Sequence, residues 1–221
     1  MNTKEQFVIT ISREIGTGGR TVGRLLAEKL GVRFCDKDLV NALRERFGLT
    51  TYEIEKLKGE KKNWLTDLFA KLNPSPVAVM NGDPSGAYFD NSEKEVTTDE
   101  IFKAECEILR AIAEESSCVI AGRSGFFVLE DGPNKVDVFI TAPRERRIAR
   151  VMQKQDLSRE EAERVIDKVD KSRDNYVRRY TGKSRYDSRN YDLVINMDGL
   201  TEDEAVEVIL AYIRANGKQS A

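Results

Sequence analysis

The chain has 221 residues, 40% of them hydrophobic and 33% charged, which suits one compact domain with a well-solvated surface. Its 36 Lys and Arg stand against 38 Asp and Glu, a formal net charge of -2 that argues against bulk nucleic-acid binding but allows a local basic cleft for a small anion. Histidine is absent, which excludes Ser-His-Asp triads, Cys-His dyads and His-ligated metals; phosphoryl transfer is the large reaction class that needs little beyond carboxylates, cations, hydroxyls and amides.

In chain order, Phe7 to Ile11 is a short β-branched run ending in a glycine-rich turn, which predicts a buried parallel strand. Val22, Leu25, Leu26 and Leu30 then recur at helical spacing, and Gly31 supplies the stop. Val32 to Cys35 reads as a second strand, and residues 37–47 as a helix with Leu39, Val40, Leu43 and Phe47 on one face. Residues 51–72 carry a helical pattern. The proline- and glycine-bearing stretch 73–96 reads as a functional or mobile loop, or as a contact that leaves homo-oligomer formation open.

Thr97 to Glu100 forms a capping-box pattern before a helix running through Ile112. Cys118 to Gly122 and Val136 to Ile140 are further strands, the second halted by Pro143. Helices follow over 144–153 and from Ser158, paired with Glu161, toward Tyr180. Leu193 to Asn196 is the last strand, and Thr201 with Glu204 opens a final helix whose Ala205, Val208, Ile209 and Tyr212 are expected to face inward. The expected fold is α/β: an open, doubly wound, parallel five-stranded sheet flanked by helices. One domain spans 1–221, with a helical and loop insertion at about 48–97 and a lid at about 144–189. Cys35, Cys106 and Cys118 form no CxxC pair and are expected as buried, reduced thiols. No apolar run approaches the roughly 18 residues of a membrane span and no leader pattern opens the chain, so a cytoplasmic location without membrane contact is expected.

The residues suited to chemistry gather after predicted strands. Ser12, Arg13, Gly16, Thr17, Gly18, Gly19, Arg20 and Thr21 lie between the first strand and first helix, where backbone amides and a helix N-terminus cradle phosphate. The pattern GxxxxGK[ST] is not matched. Taking Gly19 as its last glycine puts Arg20 at the lysine position and Thr21 at the Mg²⁺-ligand position; counting from the strand end puts Gly19 itself at the lysine position. A plain strand-to-helix turn is the alternative. Asp36 and Lys37 follow the second strand, with helix capping as their simpler reading. Arg123 and Ser124, flanked by Gly122 and Gly125, follow the third strand and suit an acceptor phosphate, or a surface ion pair. Arg144, Arg146, Arg147 and Arg150 crowd one helix, and Arg173, Arg178, Arg179, Arg185 and Arg189 follow. These suit either a lid over a transferring phosphoryl group or a solvated face.

Three stretches carry a family resemblance: VITISREIGTGGRTVGRLLAEKLGVRFCDKDL, then CVIAGRSGFFVLEDGP with VDVFITAPRERRIARVM, then DKSRDNYVRRYTG with NYDLVINMDGL. The chain resembles the cytidylate kinase-like branch of the P-loop nucleoside monophosphate kinases. Residues 48–97 carry no match. The resemblance implies an ATP- and Mg²⁺-dependent phosphotransferase acting on a nucleoside monophosphate such as CMP, or on another small phosphorylated metabolite. It implies ATP phosphates on the amides of residues 15–20, with Thr21 or Ser12 near Mg²⁺. Arg20, Arg147, Arg150 and Arg173 would act on the transferring group. Asp36, Lys37, Arg123, Ser124, Asp174 and Arg178 would face the acceptor, Ser124 standing where the family has aspartate. The alternative is a non-catalytic nucleotide sensor with a degenerate loop; an interaction module built on 73–96 ranks third.

Overall fold

The structure, a computed structural model, describes residues 1–36, 41–42, 45–46, 48, 98–122, 124–130, 132 and 134–217. The readings for the helix at 37–47 (in most part), the helix at 51–72, the loop at 73–96 and residues Lys37, Thr97 and Arg123 lie outside these residues.

Five strands form one parallel sheet: β1 (Val8–Arg13), β2 (Arg33–Cys35), β3 (Cys118–Ala121), β4 (Lys135–Thr141) and β5 (Leu193–Asn196), in the order β2-β3-β1-β4-β5. Described helices are α1 (Gly19–Leu30), α2 (Thr98–Glu115), the short α3 (Gly125–Val128), α4 (Arg144–Gln155), α5 (Arg159–Thr181) and α6 (Glu202–Gly217), with a 3₁₀ turn at Ser188–Asn190. The turn and α3 are too short to leave a periodic signal in the sequence.

Alternation along β1 divides the core. Ile9 and Ile11 pack with Val22 and Leu26 of α1 and with Ala205, Val206 and Ile209 of α6 on one face. Val8 packs with Cys35, Ile101, Leu109 and Ile120 against α2 on the other. Each such fully buried aliphatic side chain contributes about 1.5–3 kcal/mol. On α6 the inward face differs from the expectation: Val208 is 40% exposed, while Val206 and Ile213 are buried beside Ala205 and Ile209. The helix rotates so that its widest apolar stripe meets the sheet.

β1 also runs two residues further than its apolar run, because Ser12 and Arg13 pair with Phe139 and Ile140 of the longer β4. Gly31 ends α1 in the left-handed conformation, φ 66°. Ser158 and Glu161 close a reciprocal capping box that starts α5, and Thr201 with Glu204 does the same before α6. From β1 the chain moves to β2 and back to β3 on one side, then crosses to β4 on the other. A crevice therefore opens at the carboxyl ends of β1 and β3, beside the N-terminus of α1. Among the described residues, no helix is long and apolar enough to cross a membrane.

Candidate functional site

The loop from Glu14 to Gly18 fills that crevice. Gly16 (φ 82°) and Gly18 (φ 83°) are left-handed; Gly16 has no room for a side chain against backbone, and one at Gly18 would have to push aside the ends of Glu202 and Arg150. A Cβ on Gly16 would lie 2.7 Å from the Arg147 carbonyl oxygen, and one on Gly18 would lie 2.9 Å from Glu202 Oε1 and 3.2 Å from Arg150 Nη2. Gly18 is the N-cap of α1, and with no side-chain cap and no acidic residue in its first turn this helix end is open to an anion.

The amides divide into two sets. Glu14 donates to the Ile140 carbonyl at 3.1 Å, Ile15 to Asp170 Oδ1 at 3.1 Å, and Gly19 to Thr17 Oγ1 at 3.3 Å. The expectation that residue 15 offers its amide to a ligand is thereby corrected, because a carboxylate from α5 already accepts it. Among the described residues no protein acceptor takes the amides of Gly16, Thr17, Gly18, Arg20 or Thr21. The buried Thr17 hydroxyl donates to the Glu14 carbonyl at 2.9 Å and braces the turn.

The arginines separate into distinct roles. Arg147, read from sequence as a lid residue, is 6% exposed. Its Nε donates to the Ile15 carbonyl at 3.0 Å, its Nη1 to Glu14 Oε1 at 2.7 Å, and its Nη2 to Asp170 Oδ2. It is a strut beneath the loop, since releasing it would strand the buried Asp170 carboxylate and the half-buried Glu14. Arg20 is a second correction. Because α1 begins at Gly19, the strand-end register holds, and the exposed Arg20 side chain instead donates from Nε to Asp36.

Arg150 Nη2 lies against Gly18 and pairs with Glu202 Oε1 at 2.5 Å. Arg173 Nη1 and Arg185 Nη2 both donate to the Arg13 carbonyl, at 3.2 and 2.5 Å. Arg146 does not join them; it donates to the Leu200 carbonyl. The lid cluster is therefore a set of guanidinium groups with different partners, four of which, Arg147, Arg150, Arg173 and Arg185, reach the loop or the residue before it.

After β2, Asp36 faces Arg20 and lies 3.8 Å from Arg13 Nη2. Asp174 Oδ2 accepts from Arg178 Nε at 2.7 Å, and Arg178 also reaches Ser184 Oγ at 3.2 Å. Asp174 Oδ1, Ser124 Oγ and Arg185 Nη1 are buried without a partner among the described residues, polar atoms of the kind that a ligand completes. Ser124 is itself left-handed, φ 54°. Burial pushes the Tyr191 phenol up, against the Ser12 hydroxyl and Arg185; its OH donates to the Arg185 carbonyl at 2.7 Å.

Asp170 and Tyr191 were not among the site residues expected from sequence, and Arg185 was named there only within the lid cluster. The spacing of Asp170, Arg173, Asp174 and Val177 on one helical face was the available signal for the first. A cleft of about 780 Å³ at the amino edge of the sheet, bordered by Asn2, Lys135, Asp137 and Lys183, touches no loop residue. Its charges are satisfied internally, Lys135 with Asp137 at 2.7 Å and Lys183 with Glu130 at 2.5 Å.

A sequence model of the cytidylate kinase-like family matches residues 8–199. The chain belongs to the cytidylate kinase-like family. Cytidylate kinase of Methanobrevibacter smithii is 25% identical over 213 residues, covering 94% of this chain and 99% of that one. Cytidylate kinase of Sulfolobus acidocaldarius is 22% identical over 214 residues, covering 96% and 97%. Among solved structures, an uncharacterized protein from Eubacterium ventriosum superposes with a TM-score of 0.67 at 25% identity, over 95% of this chain and 99% of that one. Shikimate kinase from Acinetobacter baumannii, solved with shikimate, has a TM-score of 0.52 at 18% identity, over 97% and 98%. The fold of this cytidylate kinase-like protein is that of the P-loop kinases, and the family places it with nucleotide and small-molecule kinases.

Proposed function

We propose that this cytidylate kinase-like protein transfers the γ-phosphoryl group of ATP to a nucleoside monophosphate, with CMP the first acceptor to test. The observation that carries the reading is the loop at the β1–β3 crevice: amides of Gly16, Thr17, Gly18, Arg20 and Thr21 without a protein acceptor among the described residues, on an uncapped helix N-terminus, with guanidinium groups around them. Amides in that state suit the oxygens of a polyphosphate. Asp174, Ser124 and Arg185 supply polar atoms still in need of partners on the acceptor side.

ATP and Mg²⁺ fit the residues present. In the register that the start of α1 favours, the position after the lysine is Arg20, so the hydroxyl for Mg²⁺ would come from Thr21, one residue further on in the first turn of α1. Mg²⁺ commonly takes one or two protein oxygens and completes its shell with phosphate and water. When bound, ATP supplies the transferable group and Mg²⁺ offsets its charge. The protein's own part is positioning. Loop amides hold the donor phosphates, Arg150 and Arg173 place positive charge beside them, and Asp174 with Arg178 orients the acceptor. Arg123 and Lys37 belong to the acceptor side of the same proposal. An acceptor phosphate is ionised at neutral pH, so no side chain has to remove a proton.

Purified protein incubated with ATP, Mg²⁺ and a panel of nucleoside monophosphates tests this. Formation of ADP together with a diphosphate product is expected. Nucleotide binding without turnover of any acceptor would support a sensor instead, and folded protein that binds no nucleotide would remove both readings.

A further inference from the structure

The loop lacks the lysine that phosphate loops of this spacing carry, because residue 19 is glycine. We propose that Arg13 is the cation that takes the lysine's place, its side chain occupying the volume that a residue at 19 would otherwise fill. The proposal rests on the reading of the loop as an ATP-phosphate site.

The register is fixed by the start of α1 at Gly19, with Gly18 as its N-cap. In the pattern GxxxxGK, Arg13 then stands at the first glycine, Gly18 at the second and Gly19 at the lysine. The two exceptions to the pattern touch each other. A Cβ at residue 19 would lie 2.7 Å from Arg13 Cβ and 3.0 Å from Arg13 Cγ, so the Arg13 stem lies where a lysine at 19 would begin. The same stem could not start from a glycine at 13. Cation and glycine have exchanged places across one contact.

From Gly19 the Arg13 side chain continues to the carboxyl end of β3. A Cβ on Gly122 would overlap Arg13 Nη1 and sit 3.2 Å from its Cζ, and Gly122 is left-handed at φ 82°. The guanidinium therefore crosses from β1 over the N-terminus of α1 to the end of β3, the crevice where a loop lysine would meet phosphate. The Arg13 side chain is 17% exposed, and its carbonyl is held by Arg173 and Arg185, which fixes the backbone from which it projects. Other guanidinium groups fit this place less well. Arg13 shares Asp36 with Arg20, but at 3.8 Å and with a far less exposed side chain (17% against 58%), while Arg147 is committed beneath the loop and Arg150 lies on the Gly18 side with Glu202. A planar fork in this position can hold two phosphate oxygens in a fixed bidentate geometry, which an ammonium does not impose.

The test is calorimetric titration of the full chain with Mg·ATP and with ADP, alongside circular dichroism to check folding. Arg13→Gln keeps most of the stem over Gly19 and is expected to weaken nucleotide affinity by about 10-fold to 100-fold, the value of a lost charge-assisted hydrogen bond. Gly19→Lys alone is expected to bind no better than wild type, since the Arg13 stem blocks it. Arg13→Gly combined with Gly19→Lys rebuilds GxxxxGK, with Arg20 left at the following Ser/Thr position, and is expected to restore affinity to within about threefold of wild type. Unchanged affinity in Arg13→Gln overturns the proposal, as does failure of the folded double variant to recover what the single one loses. Wild type that binds neither nucleotide overturns the underlying loop reading, an outcome separate from either of these.

Discussion

Asp170 and Ile15 are 155 positions apart in the chain, yet Asp170 Oδ1 accepts the Ile15 amide at 3.1 Å. The other oxygen of the same carboxylate takes Arg147 Nη2, and Arg147 in turn holds Glu14. Two helices beyond the centre of the sheet, α4 and α5, thus fix the start of a loop that leaves β1.

Asp170→Ala should therefore destabilise the protein by about 3–5 kcal/mol, because it leaves a buried guanidinium short of a partner and an amide without its acceptor. Urea unfolding followed by circular dichroism measures this. A loss below about 1 kcal/mol would mean that Glu14 alone satisfies Arg147.

Gly16→Ala combines a left-handed φ with a Cβ 2.7 Å from the Arg147 carbonyl oxygen, and is expected to cost about 1–3 kcal/mol. Gly31→Ala shares the left-handed φ but meets nothing within 4 Å, so about 1 kcal/mol of conformational strain is all it should cost. Thermal unfolding of the two variants side by side separates crowding from backbone strain.

Arg150→Ala should raise the dissociation constant for ATP by about 10-fold or more while leaving unfolding free energy within about 1 kcal/mol of wild type. Its Glu202 partner is 24% exposed on the side chain and can be hydrated once the arginine is gone. Equal affinity in wild type and variant would remove Arg150 from the donor site.

Asp137 offers a pH signature away from the loop. Burial pushes its carboxyl up from the ordinary value of 3.8, opposed by Lys135 and the Thr10 hydroxyl and reinforced by nearby Asp192. A raised acid holds its proton more tightly folded than unfolded. Its favourable contribution is therefore full below pH 3.8 and is lost as pH rises through the folded value. Relative to Asp137→Asn, wild type should lose stability as pH climbs above 3.8, read from urea midpoints on either side of that value. A flat difference would show that Lys135 fully offsets the burial.

Much of the architecture was legible in local pattern. β-branched runs gave five strands, Gly31 and the Ser158–Glu161 pair marked helix ends, and helical spacing gave α1, α2 and α4 to α6. Strand alternation with helices then implied a parallel sheet. Where the pattern was ambiguous it misled: Val208 and Val206 are both apolar and two residues apart, and only packing on the sheet selects which one is buried. The glycine turn between β1 and α1 was legible, but its register was not, because two alignments of the glycines were equally consistent with the letters.

By itself, then, the sequence determined the parallel sheet and the glycine turn after β1, since these follow from residue type and short-range spacing. Tertiary structure alone decided which arginine does what. A guanidinium's role depends on the carboxylates and carbonyls that reach it from distant segments: Arg147 meets Glu14 and Asp170, Arg20 meets Asp36, and Arg13 lies over Gly19. A long, flexible cation carries no mark in one dimension of the partner that will hold it.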